Sequence, residues 1–306
     1  MSNRPTVLPL LSAAGGIATF SIMDALMKSA AITGGVFAAL LWRSVIGAAL
    51  GVIVWRMGPG GLWPAPRRLL LHAARSAVTC GMALSFFWGL VRIPMAVGMA
   101  LSFIAPIIAL FLAALILGEA VTRRAIVASG LGLIGVAVIG IGRMQAGFFG
   151  PDALWGMTAI LGSAVLYAGN LVLQRHQAQL ASPAEITFFQ SLWMAVFLGL
   201  AALWPGMAPL AMPPVGAWRD IAGAAGLATV SLLLLSWGWA RAPAHRLLPV
   251  EYSAFLWSAA MGWLWFGEAV SAATLLGAGL IVAGCWHGTS GRTTAVSGEH
   301  IEQTAL

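Results

Sequence analysis

The stretch WGLVRIP at residues 88–94 returns as WGWARAP at residues 237–243, 149 positions later. The same shift lays GEAV at residues 118–121 on GEAV at residues 267–270, and no gap is needed between the two matches. Gly- and Ala-rich sequence gives chance matches readily, so the clusters that carry Trp, Arg, Pro and Glu are the informative ones. They indicate a duplication, and a duplicated membrane chain is typical of transporters.

Composition indicates a membrane protein. Apolar residues make up 60% of the chain, charged residues only 8%, and the mean hydropathy is +0.92. A soluble domain carries about 25% charged residues. The net charge of +7 comes from basic residues in short loops between apolar runs. This pattern predicts a lipid bilayer as partner and argues against nucleic acid, which would favour a basic face or tail.

Ten apolar runs have lengths suited to crossing a bilayer, which takes about 20 residues per helix. We therefore predict an all-α polytopic membrane protein with ten transmembrane helices, arranged as two inverted five-helix repeats at residues 8–143 and 153–287. The polar residues 288–306 are predicted to be a disordered tail. The first run is expected to remain as a helix and not to be cleaved as a signal peptide. The predicted spans are residues 8–30, 35–57, 69–90, 95–117, 125–142, 153–173, 186–204, 221–240, 247–266 and 272–286.

Basic residues predict the orientation. With the N-terminus in the cytoplasm, eleven of the 16 Lys and Arg residues lie near the cytoplasmic face, four lie near the other face and Arg43 lies within a span. The positive-inside rule therefore favours both termini in the cytoplasm. Because each repeat has an odd number of spans, the second repeat is then inverted relative to the first. Inverted repeats of this kind place a substrate site near the middle of the membrane.

A helix that is preceded by proline and ends in Gly-Glu, repeated after five spans, resembles the drug/metabolite transporter superfamily with two EamA-type repeats. The resemblance covers residues 14–286 and implies an alternating-access carrier for a small organic metabolite; exporters of amino acids or drugs share the pattern. Four shorter motifs are similar to a subgroup that includes S-adenosylmethionine and riboflavin uptake carriers. They are Asp24-x-x-x-Lys28, Trp42-Arg43, His72-x-x-Arg75 and Pro249-Val250-Glu251-Tyr252.

Asp24 and Arg43 are candidate site residues because a charge inside a span normally faces a cavity or a partner. Each lies about 12 Å from the turn at Gly34, at 1.5 Å per residue, so the two are at matching depth on antiparallel helices. They are expected to line the outer half of a cavity, where they can meet a zwitterion or a proton. The alternative is a structural ion pair between the first two helices. Lys28 is expected to extend its ammonium group to water.

Four further polar residues within spans are candidate substrate contacts. Arg75 and Glu251 each lie about one and a half turns into their spans, and Glu251 is the candidate acid for protons or substrate. Asn170 and Gln190 are candidate hydrogen-bond donors to substrate, with an interhelical hydrogen bond as the alternative for each. Glu119 and Glu268, beside glycines at helix ends, are interpreted as structural.

Aromatic side chains deep in the spans are the second group of candidate substrate contacts. They can stack on a planar or cationic solute, although packing or lipid contact is the alternative for each. The candidates are Trp88, Phe103, Tyr167, Trp237, Tyr252 and Trp257.

Several kinds of chemistry have no supporting motif. The chain contains no G-x-x-x-x-G-K-[ST] phosphate loop, no H-E-x-x-H or Cys/His cluster with metal-ligand spacing and no G-x-S-x-G elbow. We therefore expect no enzyme activity, cofactor or metal, and a channel or an intramembrane enzyme is the more distant alternative. The expected partners are a small-molecule substrate and, as a candidate coupling ion, the proton. The chain is expected in a bacterial inner membrane as a monomer or weak homodimer.

Overall fold

The computed structural model describes residues 7–58, 63–105, 107–108, 123–145, 151–204, 212–241, 250 and 253–289, and all regular structure in these ranges is helical. Ten helices follow one another in these ranges. They are α1 (Val7–Gly34), α2 (Val36–Met57), α3 (Pro66–Leu90), α4 (Met95–Ser102), α5 (Arg123–Gln145), α6 (Pro151–Leu180), α7 (Pro183–Ala202), α8 (Ala217–Trp239), α9 (Ser253–Phe266) and α10 (Ala272–Thr289).

Each predicted span overlaps one of these helices. Six of them, α1, α2, α3, α6, α7 and α8, are long and apolar enough to cross a membrane. Large apolar side chains such as Leu133, Trp263 and Leu276 are exposed on the outer surface, as expected where lipid covers the protein. Helix α10 continues to Thr289, so the first two residues of the predicted tail are helical. The other tail residues, 290–306, lie outside the described residues.

Local sequence explains several helix ends. Helix α7 begins after Ser182, whose side-chain oxygen accepts a hydrogen bond from the backbone N–H of Glu185 at 3.2 Å. Pro183 occupies the first helical position, where its missing N–H costs nothing. Gly35 separates α1 from α2 with a φ of +82°, which lets the chain reverse without a break. The reversal at Gly35 places α1 and α2 side by side.

Helices of the first half pack on helices of the second half. Helix α1 packs on α8, α3 on α6, α2 on α7 and α5 on α10. In the α2–α7 pair, Gly47 lies against Ser191 and Gly51 against Phe188, so the pair is antiparallel. In the α5–α10 pair, Gly135 lies against Ile281 and the backbone of Gly277, while Gly142 lies against Ala273. The helices within each of these two pairs therefore run in opposite directions.

A glycine pair allows α5 and α10 to pack closely. A side chain on Gly135 or Gly277 would collide with the backbone of the other helix. Gly130 and Gly279, by contrast, face open space. The close contact is thus made by one glycine pair within the chain.

Candidate substrate cavity

A cavity of about 210 Å³ lies between the two halves. A single ordered water needs only about 10–15 Å³ by this measure, so the cavity has room for a larger solute. Its wall is formed mainly by α1, α2 and α3 from the first half and by α6, α7 and α8 from the second. Most of the wall is apolar. Among the described residues that line it, three are charged: Asp24, Arg43 and Arg75.

Asp24 is a buried carboxylate without a partner. It lies in the middle of α1 and is only 1% exposed. Neither of its oxygens accepts a hydrogen bond from any described residue. A buried polar group without a partner destabilises the fold, so one that persists is a candidate for ligand binding. Its position on the cavity wall makes it the strongest such candidate in the described part of the chain.

Arg43 enters the cavity from α2 and contacts only weak acceptors. Its guanidinium group lies 3.6 Å from the sulfur of Met23 and 4.0 Å from the sulfur of Met194. A thioether sulfur is a poor hydrogen-bond acceptor, so most of the donor capacity of Arg43 is unused. Asp24 and Arg43 line the same cavity, as their matching depth predicted, but they do not form the structural ion pair that was the alternative.

Arg75 enters from α3 and is held by neutral groups. Its Nε atom donates to the side-chain oxygen of Asn170 at 3.0 Å, and a second guanidinium nitrogen donates to the side-chain oxygen of Gln177. Thr79 also donates to Asn170, at 3.3 Å. The interhelical hydrogen bond that was the alternative for Asn170 is therefore present. Arg75 is only 3% exposed, and none of these partners neutralises its charge.

A chain of hydrogen bonds continues from Arg75 to the end of the bundle where α3 begins. The amide nitrogen of Gln177 contacts Nδ1 of His72, and Nε2 of His72 contacts the carboxylate of Glu185 at 3.0 Å. The other oxygen of Glu185 lies 3.6 Å from the exposed guanidinium of Arg68. This chain ties α3 to α6 and α7.

The geometry of this series of hydrogen bonds determines which ring nitrogen of His72 carries the proton. A guanidinium only donates hydrogen bonds, so the oxygen of Gln177 must face Arg75. The amide NH₂ of Gln177 then faces Nδ1 of His72, which must accept. The imidazole proton is consequently on Nε2, where it is donated to Glu185. His72 is therefore a neutral link between Gln177 and a carboxylate.

We expect the change Gln177→Leu to lower the free energy of unfolding by about 2–4 kcal/mol, because two buried groups, Arg75 and His72, each lose a partner. The apparent melting temperature of the purified protein in detergent measures this. The matched control is Gln174→Leu, one turn earlier on α6, since Gln174 lines the cavity without a hydrogen bond to a described residue. Equal losses in the two variants would contradict the role given to Gln177.

The opposite end of the bundle is closed by a different cluster. Lys28 is only 4% exposed, and its ammonium group donates to the carbonyl of Ile93 at 2.9 Å and to the carboxylate of Glu268. The second oxygen of Glu268 accepts from the backbone N–H of Met95 at 2.8 Å. The prediction that Lys28 extends to water is therefore wrong, because the partly buried carboxylate of Glu268 lies within its reach. The structural interpretation of Glu268 agrees with these contacts, while Glu119 lies outside the described residues.

The structure brings together seven of the twelve predicted site residues. The residues that line the cavity are Asp24, Arg43, Arg75, Phe103, Tyr167, Asn170 and Gln190. The side-chain oxygen of Gln190 is buried and accepts no hydrogen bond from a described residue. Glu251 and Tyr252 lie outside the described residues, so nothing is said of their position.

Three predicted tryptophans do not reach the cavity. Trp88 and Trp237 lie beneath the guanidinium groups of Arg92 and Arg241, which sit 3.6 Å and 4.3 Å from the ring centroids. Trp257 is 42% exposed on the outer surface. All three were placed by their distance from the run ends, which indicates depth but not the direction in which a helix face points.

Sequence reasoning identified Asn170 but missed the two glutamines on the same face of α6. Asn170, Gln174 and Gln177 are spaced four and three residues apart, so they lie on one face of the helix. Both glutamines were visible as polar residues in an apolar run, and this spacing could have identified them. Trp239 also lines the cavity although Trp237, two residues earlier, does not.

Comparison with known proteins shows similarity to transporters. The sequence profile of the EamA-like transporter family matches residues 7–141 and 154–287. The pseudopaline exporters of two strains of Pseudomonas aeruginosa are 25% and 27% identical, with 87% of this chain and 90% of each relative covered. An uncharacterized transporter of Helicobacter pylori is 24% identical over 86% of this chain and 90% of its own length.

A solved crystal structure shares the fold, with a TM-score of 0.65 at 21% identity, over 91% of this chain and 95% of the other. The predicted subgroup of S-adenosylmethionine and riboflavin uptake carriers is not supported, because the named relative is a pseudopaline exporter. The four short motifs therefore do not assign the chain to this subgroup.

Proposed function

This chain belongs to the EamA-like transporter family, and we propose that it is a secondary carrier that moves a small polar organic metabolite across the inner membrane by alternating access. The observation that carries the proposal is the cavity between the halves, where Asp24 and Gln190 present buried oxygens that accept no hydrogen bond from a described residue. A concave, mostly apolar cavity with a few polar groups is the usual form of a site for a small solute.

Inverted repeats are part of the proposal. The duplicated sequence and the antiparallel α2–α7 and α5–α10 pairs support two halves of opposite orientation around a shared cavity. In carriers built this way, the halves rock about a central site and expose it to each side in turn. Different clusters hold the two ends of this bundle, His72 with Glu185 at one end and Lys28 with Glu268 at the other.

Export is the proposed direction, supported by the exporter activity of the named relatives. Both termini are proposed to lie in the cytoplasm, on the basis of the basic residues in the loops. We propose proton exchange as the energy source, because Asp24 is a buried carboxylate on the cavity wall that accepts no hydrogen bond from a described residue. Export of an amino acid is the second candidate, favoured by a cavity that holds both signs of charge.

The test places a large side chain in the cavity, and the same substitution on the outer surface is the control. Ala228 lines the cavity on α8, whereas Ala222 on the same helix is exposed. We expect Ala228→Trp to abolish export and Ala222→Trp to preserve it. Mass spectrometry of cells and medium, with and without the chain, identifies the exported solute. Counterflow of that solute in proteoliposomes then separates a carrier from a channel, and an unchanged solute mass separates it from an enzyme.

Two results would contradict the proposal. One is that no solute depends on the chain for its distribution between cells and medium. The other is that Ala228→Trp, folded and inserted at the wild-type level, exports as well as the wild type does.

A further inference from the structure

The charges that line the cavity point to a chemical class of substrate, an inference that rests on the proposed function. Among the described lining residues there are two guanidinium groups, Arg43 and Arg75, and one carboxylate, Asp24. None of the three forms an ion pair with another described residue. The cavity thus has a formal excess of one positive charge that no described side chain balances.

Each of the three groups still has capacity to bind a charged partner. Asp24 has two oxygens without donors, and Arg43 donates only to thioether sulfurs. Arg75 donates to amide oxygens, which orient the guanidinium without neutralising it. Gln190 adds a second buried oxygen that needs a donor. The site is therefore incomplete until a solute supplies both positive and negative groups.

We propose that the substrate is an amphoteric anion with one protonated amine and two acidic groups. The amine binds Asp24, and the acidic groups bind Arg43 and Arg75. Such a solute leaves none of the three charges unpaired. Its apolar carbon atoms contact the aromatic part of the wall, which includes Phe86, Phe87 and Trp239.

Solutes that lack one of these charged groups pair fewer of the three charged side chains. A dicarboxylate without an amine pairs both guanidinium groups but leaves Asp24 buried without a partner and repelled by the solute. A diamine pairs Asp24 and leaves both arginines unpaired. A simple zwitterion leaves one arginine unpaired. Leaving a buried charge unpaired is strongly unfavourable, so the difference between these classes is measurable as selectivity.

Four solutes with five-carbon chains separate the classes at nearly constant size: L-glutamate, glutarate, L-glutamine and 1,5-diaminopentane. Their dissociation constants for the purified protein follow from the concentration dependence of the apparent melting temperature. We expect L-glutamate to bind at least about tenfold more tightly than each of the others, since one charged hydrogen bond distinguishes it from glutarate or L-glutamine.

Variants assign each solute group to its residue. Asp24→Asn is expected to reduce the preference for L-glutamate over glutarate to about one, because only the amine distinguishes these two solutes. Of Arg43→Gln and Arg75→Gln, the variant that removes the partner of the side-chain carboxylate is expected to reduce the preference for L-glutamate over L-glutamine to about one, and the other variant is expected to weaken the binding of both solutes. Each comparison is made within one variant, so a difference in stability between variants does not affect it.

Tighter binding of the diamine or of L-glutamine than of L-glutamate overturns the inference, as does an unchanged amine preference in Asp24→Asn. If none of the four probes binds, the charged groups of the exported solute identified by mass spectrometry test the proposed substrate class. A neutral or cationic solute overturns the substrate class while the carrier function stands. Absence of any chain-dependent solute overturns the carrier function itself.

Discussion

Replacing Asp24 with asparagine is expected to reduce transport at least about tenfold while the protein remains as stable as the wild type or becomes more stable. The carboxylate accepts no hydrogen bond from a described residue, so its removal breaks no hydrogen bond among the described residues. A neutral amide of the same size also lowers the cost of burying a charge. A charged hydrogen bond to the solute is worth about 1.5–3 kcal/mol, which corresponds to a factor of roughly 10–100 in binding.

The measurement combines counterflow per inserted molecule with the apparent melting temperature in detergent. Asp220→Asn is the matched control, since it makes the same chemical change at a carboxylate that already accepts a hydrogen bond from Ser29. We expect the control to retain transport. A fall in the melting temperature of Asp24→Asn, with normal transport by the protein that remains folded, would instead indicate a structural carboxylate.

A gain in stability that accompanies a loss of function is the pattern of a site kept for function at the expense of the fold. The same variant also tests proton exchange. If Asp24 carries the coupling proton, accumulation driven by a pH gradient disappears in Asp24→Asn, and residual counterflow no longer responds to the gradient. A gradient response that persists in this variant assigns the proton to another group.

The sequence predicted the helices and the location of the cavity because burial in a bilayer leaves few alternatives. Long apolar runs in lipid must be helical, since no water is present to satisfy the backbone. A charge within such a run must face a cavity or a partner, and the structure places Asp24, Arg43 and Arg75 on the wall of one cavity.

The partners of buried side chains could not be predicted, because they depend on how helices rotate about their axes. Lys28 was assigned to water on the basis of its depth, but Glu268 approaches it from a segment 240 residues away. Gly267 makes this possible: with a φ of +63°, it ends α9 and turns the next residue back toward α1. Trp88 and Trp237 were misplaced for the same reason, since depth along a helix does not specify which face is inward.

Replacing Lys28 with methionine is expected to open the end of the cavity where α1 ends and to destabilise the protein by about 1.5–3 kcal/mol, because the partly buried carboxylate of Glu268 loses a charged hydrogen bond. Glu268 would keep its contact with the N–H of Met95 but lose its cation, and the carbonyl of Ile93 would lose its donor. The contacts that hold α1 against α4 and the segment after α9 would then be broken.

The double variant Lys28→Met/Glu268→Gln separates two effects of losing Lys28. One is the effect of an unpaired charge on stability, and the other is the effect of the missing hydrogen bonds on closure of the cavity. The amide oxygen of glutamine can still accept from Met95, and no buried charge is left unpaired, so most of the lost stability is expected to return. The hydrogen bonds from Lys28 are still missing, so the end is expected to stay open. If the double variant is no more stable than Lys28→Met, the unpaired charge of Glu268 is not the source of the instability.

Opening is measured with a cysteine at Ser102, which lines the cavity on α4, in a background where the native cysteines are replaced by serine. We expect Lys28→Met to raise the labelling rate by a membrane-impermeant maleimide at least about tenfold, because a shift of 1.4 kcal/mol between closed and open states changes their ratio tenfold. In the proposed orientation, with both termini in the cytoplasm, α1 ends on the periplasmic side, so labelling is expected in intact cells. An unchanged rate would show that the ion pair does not close this end, and labelling that requires lysed cells would place the opening on the cytoplasmic side.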